Sequence, residues 1–161
     1  DDFVMKALGE IDGKQFKSVN DEAALPQTDE EKQAAQEKAE AGKPVLEAVK
    51  EALGDQVKEV RVSSILKSGA CCLTAEGPVS LEMEKYFQKV DPENAGSMKA
   101  QRVLELNPDS AAFAALSRAV ESDRDKAARY AKLLYAQAQL IAGLPLEDPA
   151  GYTELVCSLI N

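Results

Sequence analysis

The chain has 161 residues, which is enough for one domain of ordinary size with its own hydrophobic core. It carries 19 Lys and Arg residues against 28 Asp and Glu residues, and the formal charge of −9 disfavours a surface for nucleic acid or for an anionic membrane. No apolar run reaches the length of a membrane span. We therefore expect neither a nucleic-acid partner nor a membrane partner.

The cysteines and the first residue indicate the setting of the chain. Three cysteines, of which Cys71 and Cys72 are adjacent, do not make a disulfide framework, so a reducing, cytoplasmic location is expected. The sequence begins at Asp1 without an initiator Met, a basic region or an apolar leader, which predicts a piece of a longer protein.

Short elements are predicted at the start of the chain. The apolar residues of Asp2–Leu8 have helical spacing, and Gly9 follows them as a stop signal. The pair Asp12-Gly13 predicts a turn, and the run Gln15–Val19 after it alternates in polarity.

The composition changes between Asn20 and Gly42, where Asp, Glu, Lys, Gln and Ala dominate. Thr28 and Glu31 have the spacing of a capping box, which predicts the start of a solvated helix, whereas Gly42 and Pro44 predict its interruption. We interpret residues 28–43 as a linker or an exposed helix. The alternative is a charged face without a functional role.

A folded unit is predicted from Pro44 onward. Pro44 is suited to the first turn of a helix, which Gly54 would end, with an apolar face of Val45, Leu46, Val49 and Leu53. Three candidate strands follow at Val57–Ser64, Ala70–Ala75 and Arg102–Asn107. Because helices and few strands alternate, we expect an α+β fold with a small three-stranded sheet and packed helices.

A helix is predicted over Val79–Val90, between the second and third strands. One of its faces is apolar, and this face consists of Val79, Met83, Tyr86, Phe87 and Val90. The simpler interpretation is that it covers the sheet. The alternative is a surface for other proteins, since Met and aromatic side chains adapt to variable partners and flexible segments flank the helix.

Three more helices are predicted after the third strand. The first follows Asn107-Pro108-Asp109, the second covers Arg124–Ala142 and the third ends the chain after a Gly/Pro turn. The last two have apolar stripes, which contain Tyr130, Leu133, Leu134, Ala138 and Ile141 in one helix and Tyr152, Leu155, Val156, Leu159 and Ile160 in the other.

The terminal stripe needs a partner, because a helix of about a dozen residues is marginal alone in water. Either it packs within its own chain, or it pairs with a second copy. Two stripes at the chain end favour a homodimer in which the two helix pairs form an intermolecular four-helix bundle.

The sequence contains no signature of catalysis. It has no His, no Walker loop, no Gly-rich dinucleotide motif and no Cys-x-x-Cys pair. Cys71 and Cys72 could form a redox switch, but two packed small residues are the more common meaning of such a pair, and Cys157 is also interpreted as a packing residue. We predict no enzymatic site, no metal and no cofactor in this chain.

Several motifs, in this order, resemble the heat-shock protein 90 (Hsp90) chaperone family, most closely its bacterial, high-temperature protein G type. The resemblance covers nearly the whole chain. It is carried by Asp2-Phe3-Val4, Asp12-Gly13-Lys14, Phe16, Ser18-Val19, Val57-Lys58-Glu59-Val60-Arg61-Val62, Leu104-Glu105-Leu106-Asn107-Pro108, Tyr130-Ala131, Leu133-Leu134-Tyr135, Ala138 and Leu146-Glu147-Asp148-Pro149.

The resemblance implies a domain division and a function. Residues 1–27 would end the middle domain of the family and residues 44–161 would form its C-terminal dimerization domain. The last two helices would hold two protomers together, and the helix Val79–Val90 would contact unfolded client proteins. ATP and Mg would bind an amino-terminal domain outside this chain.

Two departures from the family pattern are visible. The chain ends in Cys157-Ser158-Leu159-Ile160-Asn161 and not in the acidic cochaperone-binding tail of eukaryotic cytosolic members. Ser110-Ala111 stands where many members carry His.

The rival hypothesis is a monomeric helical adaptor that binds another protein's helix. A third, a regulatory domain with a small-molecule pocket, has no sequence feature in its favour.

Overall fold

The computed structural model describes residues 4, 7–16, 29–93 and 95–160. Within these residues the fold is α+β, as predicted. The elements in chain order are β1 (Glu10–Ile11), β2 (Lys14–Gln15), α1 (Asp29–Leu53), a 3-10 turn (Gly54–Gln56), β3 (Glu59–Val62), β4 (Cys71–Glu76), α2 (Leu81–Val90), a second 3-10 turn (Ala95–Met98), β5 (Gln101–Leu106), α3 (Ala111–Ser122), α4 (Arg124–Ile141) and α5 (Pro149–Ile160).

Strands β3, β4 and β5 form the predicted three-stranded sheet. Its order is β3-β5-β4, with β5 parallel to β3 and antiparallel to β4. Leu104 of β5 is therefore paired with Val60 on one side and Leu73 on the other. All three strands predicted from sequence are confirmed, with ends that differ by one to two residues.

Strands β1 and β2 form a small separate hairpin. Its loop is Asp12-Gly13, with φ of 52° and 73°, and a two-residue loop with two positive φ angles matches the twist of a hairpin. The predicted turn is thus confirmed. Most of the predicted helix Asp2–Leu8 and residues 17–19 of the alternating run lie outside the described residues, although Val4, Ala7 and Leu8 are helical.

The hydrophobic core lies between one face of the sheet and the helices α1, α3 and α4. Leu104, Leu106 and Leu116 are almost completely buried there. The whole cluster consists of Val45, Val49, Leu53, Val57, Val60, Cys71, Leu73, Leu104, Leu106, Leu116, Ala119, Ala127, Ala131, Leu134, Tyr135, Ala138 and Leu144. The predicted apolar face of α1 thus packs on the sheet.

Helix α1 is continuous across Gly42 and Pro44, so the predicted interruption is wrong. Contacts on both sides of the proline explain the difference. Gly42 is buried, and a Cβ atom there would lie 3.2 Å from Cζ of Phe113, so the glycine permits close packing of α1 against α3. Lys38 pairs with Asp109 at 2.7 Å before this point, and Val45 enters the core after it.

Three helices begin at side-chain caps. Ser80, Ser110 and Asp123 each accept a hydrogen bond from a backbone N–H in the first turn of α2, α3 and α4, respectively. Because Ser80 is the N-cap, α2 begins at Leu81 and Val79 lies outside the helix predicted to contain it. Gly143, with φ of 72°, ends α4 and begins the predicted Gly/Pro turn.

A polar cluster lies on the face of the sheet opposite the three core helices. Glu105 is fully buried there and accepts hydrogen bonds from Arg61 at 2.9 Å, Ser63 at 2.9 Å and Thr74 at 3.2 Å. These donors come from β3, the segment after it and β4, so one carboxylate of β5 connects both neighbouring strands.

A second buried ion pair lies where α2 meets the sheet. Arg102 Nη2 donates to Glu84 Oε1 at 2.6 Å, and Arg102 Nη1 donates to the Tyr135 hydroxyl at 2.8 Å. Burial lowers the pKa of Arg102, but its hydrogen bonds to Glu84 and Tyr135 outweigh that effect and raise the pKa above its ordinary value. The guanidinium group therefore stays charged.

Replacement of Glu84 by Gln should lower the free energy of unfolding by about 3 kcal/mol, because it leaves the buried Arg102 charge without a counterion. Glu82→Gln is the matched control on the same helix, since the Glu82 side chain is largely exposed and its pair with Lys85 is a surface pair, worth at most about 1 kcal/mol. Urea unfolding of both variants measures the difference. Equal losses would contradict the role given to Glu84.

The two adjacent cysteines are shielded from reaction. Burial raises the pKa of Cys71 to about 11. Burial and the neighbouring Glu105 carboxylate raise the pKa of Cys72 to about 12. Cys71 is buried, in agreement with the packing role predicted for it. Cys157, for which packing was also predicted, is exposed in α5.

Only Cys157 should react rapidly with a thiol reagent at about pH 8, because the thiolate is the reactive form and the other two thiols stay protonated. All three cysteines should react after unfolding in guanidinium chloride. Counting modified thiols by mass spectrometry tests this expectation, and Cys157→Ser provides the control because it should abolish the fast reaction.

Candidate protein-interaction surfaces

Helix α2 presents its apolar face outward. Tyr86 and Val90 are 50% and 62% exposed, and Met83 and Phe87 are half-buried. The rings of Tyr86 and Phe87 meet edge to face, with centroids 5.7 Å apart. Val79, which precedes the helix, is half-buried. Four of the five predicted client-contacting residues therefore lie on one helix, with the fifth just before it.

The inward face of α2 is mainly polar. Glu84 is buried in the ion pair with Arg102, and its carboxylate also accepts a hydrogen bond from the backbone N–H of Ala100 at 3.1 Å. Lys85 Nζ donates to the carbonyl oxygen of Ala142 at 3.0 Å. Leu81 is the residue of α2 that packs against the hydrophobic core. Since polar contacts hold this face inward, the apolar side chains remain outside.

Helix α4 has one face in the core and another at the surface. Leu134 and Ala138, both predicted for a dimer interface, are covered by contacts within their own chain. Tyr130 and Leu133 are half-buried, and Ile141 is 70% exposed. The predicted stripe of α4 is therefore divided between an internal surface and an accessible one.

Helix α5 is the least covered helix of the C-terminal pair. It begins after Asp148, whose carboxylate accepts a hydrogen bond from the Gly151 N–H at 2.8 Å. None of its residues is buried in the single chain. Tyr152, Leu155, Val156 and Leu159 are half-buried, and Ile160 is 78% exposed. The predicted terminal stripe thus lies at the surface.

A cleft of about 470 Å³ is lined by residues of α4, of α5 and of the segment between them. Arg129 and Lys132 line it from α4, and Glu147 and Asp148 line it from the segment before α5. Tyr152 and Leu155 complete its apolar side. The cleft therefore combines apolar side chains with charges of both signs.

Neither a metal centre nor a membrane span is visible in the part of the chain that the structure describes. No group of three or more His, Cys, Asp or Glu side chains there could hold a metal ion. Among the described helices, none combines the length and the apolar character that crossing a membrane requires.

Sequence reasoning missed the residues that orient these surfaces, namely Glu84, Lys85, Arg102 and Tyr135. One signal was available for Arg102. Alternation along β5 puts it on the same face as Leu104 and Leu106, which predicts a buried arginine that needs an acidic partner. No comparable signal identified Glu84, because the sequence pattern did not distinguish it from the two other acidic or amide residues of α2.

Comparison with known proteins gives a consistent result. A sequence model of the Hsp90 protein family matches residues 1–161. The chain is 40% identical over 160 residues to a protein of Bacillus subtilis named chaperone protein HtpG, with 99% of the chain and 25% of the relative covered. It is 42% identical over 161 residues to the protein of the same name from Clostridium perfringens, with 100% of the chain and 25% of the relative covered.

The HtpG protein of Natranaerobius thermophilus is similar to the same degree, with 40% identity over 162 residues, 100% of the chain and 25% of the relative. The chain spans about a quarter of the length of these relatives. The family model matches every residue, and these relatives are at least 40% identical to the chain. The chain therefore belongs to the Hsp90 family and is a member of the HtpG type.

Proposed function

We propose that this chain is the C-terminal dimerization and client-contacting part of an HtpG-type chaperone. The observation that carries the proposal is α5, a helix with an apolar stripe, one charged side chain and no buried residue. Such a helix is unfavourable in water without a cover. A second copy of the same chain supplies a cover of matching chemistry.

The proposed interface combines α5 with the outer part of α4. Its residues are Tyr130, Leu133, Ile141, Tyr152, Leu155, Val156, Leu159 and Ile160, with Leu134 and Ala138 supporting them from the core. Full burial of a large apolar side chain contributes roughly 1.5–3 kcal/mol. Because a symmetric interface uses each residue twice, these side chains together can offset an association cost of about 4–15 kcal/mol.

The cleft beside α5 offers a second copy charges of both signs. Arg129 and Lys132 line it together with Glu147 and Asp148, and a twofold axis would make any contact with these residues reciprocal. The helices α4 and α5 of two copies would then form a four-helix bundle. The half-buried stripe of α5 would become its centre.

The second proposed surface is the apolar face of α2, which would contact unfolded or partly folded client proteins. The exposed Tyr86 ring and Val90, with the half-buried Phe87 and Met83 beside them, offer apolar area to variable sequences. The names of the relatives support a chaperone role, since each is called a chaperone protein.

The proposed contribution of the chain to the whole protein is geometric. By joining two protomers at one end, it would raise the effective concentration of their remaining domains for each other. ATP and Mg chemistry is assigned to those other domains, and a cytoplasmic location and a role in stress response follow from the family.

Replacement of Leu155 and Leu159 by Asp should convert a dimer into a monomer, because dimerization would bury four unpaired charges. Thr153→Asp with Ser158→Asp is the matched control, since both residues are exposed in α5 and the added charge is equal. Light scattering over a dilution series measures the mass. The unmodified chain and the control should keep twice the chain mass.

A monomeric unmodified chain would contradict the dimer proposal and favour the rival adaptor, whose terminal stripe binds a different protein. A dimer that persists in the Leu155→Asp, Leu159→Asp variant would remove α5 from the interface. Melting temperatures of both variants show whether the fold is retained.

Replacement of Tyr86 and Val90 by Ser should weaken binding of reduced, carboxymethylated α-lactalbumin, a permanently unfolded protein, by about tenfold or more, because two exposed apolar side chains are lost. The melting temperature should change little, since neither residue belongs to the core. Lys89→Ser on the same helix is the control. Fluorescence anisotropy of the labelled probe measures the affinity.

A large fall in melting temperature of the Tyr86→Ser, Val90→Ser variant would show that α2 serves the core. Unchanged affinity with an intact fold would exclude this face as a client-contacting surface.

A further inference from the structure

Helix α2 is fastened to α4 by two polar connections, and these connections lie between the two proposed interaction surfaces. We infer that Glu84, Lys85, Arg102 and Tyr135 are positioning residues that couple the apolar face of α2 to the dimer helices, so that dimerization strengthens client binding. This inference rests on the proposed function. None of the four residues lies on the exposed apolar face of α2 or on the stripe of α5.

The first connection is a chain of buried hydrogen bonds. Glu84 of α2 accepts from Arg102 of β5 at 2.6 Å, Arg102 donates to the Tyr135 hydroxyl of α4 at 2.8 Å, and that hydroxyl donates to the Gln56 carbonyl at 3.1 Å. Glu84, Arg102 and Tyr135 are each at least 95% buried. Hydrogen bonds shielded from water are stronger and more directional than exposed ones.

The second connection lies at the C-terminus of α4. Lys85 Nζ donates to the Ala142 carbonyl at 3.0 Å, and its ammonium group lies at the negative end of the α4 dipole. The Lys85 side chain is 22% exposed. Together with the route through Arg102, this contact restrains α2 relative to α4 at two points.

The apolar attachment of α2 is small by comparison. Leu81 is its residue in contact with the hydrophobic core, and the helix is preceded by the exposed pair Gly77-Pro78 and followed by exposed residues Pro92 and Glu93. The polar connections to β5 and α4 therefore contribute to the order of α2. A change in the order of α4 reaches α2 through them.

The direction of the coupling follows from conformational entropy. A client that binds the face of α2 must immobilise the helix, which costs free energy. Dimerization would pack the outer face of α4 and α5 against a second copy and add to the restraint that the core already places on α4, and the two connections extend this added restraint to α2. Because part of the ordering is then already done, the client binds the dimer more tightly than the monomer. By linkage, a bound client also stabilises the dimer.

The test compares probe affinity between the dimer and an obligate monomer. Labelled, reduced and carboxymethylated α-lactalbumin is titrated with the 161-residue chain and with its Leu155→Asp, Leu159→Asp variant, and anisotropy gives the Kd per chain. We expect about a fivefold or greater preference for the dimer, the lower end of usual couplings between sites.

The connections are then removed one at a time. Tyr135→Phe deletes the hydroxyl that links Arg102 to Gln56, and Lys85→Met deletes the ammonium group at the end of α4. Each should reduce the preference for the dimer to about twofold or less, while the dimer itself persists. Lys89→Met is the matched control, because it removes an equal charge from an exposed position on the same helix and should leave the preference unchanged.

Each outcome has a defined meaning. A preference that persists in both Tyr135→Phe and Lys85→Met would overturn the inference, since two linked binding faces acting together would then explain it. Equal affinity of the unmodified dimer and monomer would overturn the coupling and leave the proposed function intact. Absence of a dimer, or of probe binding to it, would instead refute the proposed function and the inference with it. If Tyr135→Phe fails to fold, Lys85→Met, which lies outside the hydrophobic core, still decides the question.

Discussion

Strand β5 lies between two neighbouring strands, and its side chains must satisfy three different environments. Leu104 and Leu106 enter the hydrophobic core beneath the helices. Glu105 points to the opposite face, where Arg61 neutralises its carboxylate and Ser63 and Thr74 donate hydrogen bonds to it. Arg102 lies at the end of the core side, and Glu84 of α2 compensates its charge. The central strand therefore fixes both the core and the place of α2.

This arrangement explains why the proposed interaction surfaces are outside the core. The sheet is covered on one side by α1, α3 and α4, and this cover uses the inner faces of α4, including Leu134 and Ala138. Helix α5 is left with a contact to α4 that buries none of its residues completely. Helix α2 is held by a buried ion pair on its inner side, and Tyr86 and Val90 are exposed on its outer side. The core and the proposed interaction surfaces thus use different faces of the helices.

The elements with strong local patterns were predictable from sequence. The three strands, the Asp12-Gly13 turn and the four helices after Gly77 follow from alternation, helical periodicity and capping residues, with ends that differ by a few residues. The apolar stripes of α2 and α5 were also identified. Whether each stripe was exposed or covered stayed open between two alternatives, because periodicity finds an apolar face without showing what covers it.

The other features depend on contacts between distant parts of the chain. Gly42 and Pro44 are locally unfavourable in a helix, and the prediction of a break followed from that; contacts with Phe113, Val62 and the core hold α1 together instead. The partners Glu84 and Arg102 are 18 residues apart, and Tyr135 lies 33 residues further. Such pairs become visible only when the fold brings them together.

The continuity of α1 has a mechanical consequence. From Gly42, where the helix is packed against the body, to its first residue Asp29 the chain rises by about 20 Å at 1.5 Å per residue. A rotation of the helix base by about 10° would move a tip at that distance by about 3.5 Å. A broken helix would absorb such a rotation at the joint. An unbroken helix would carry it to Asp29 as a larger displacement.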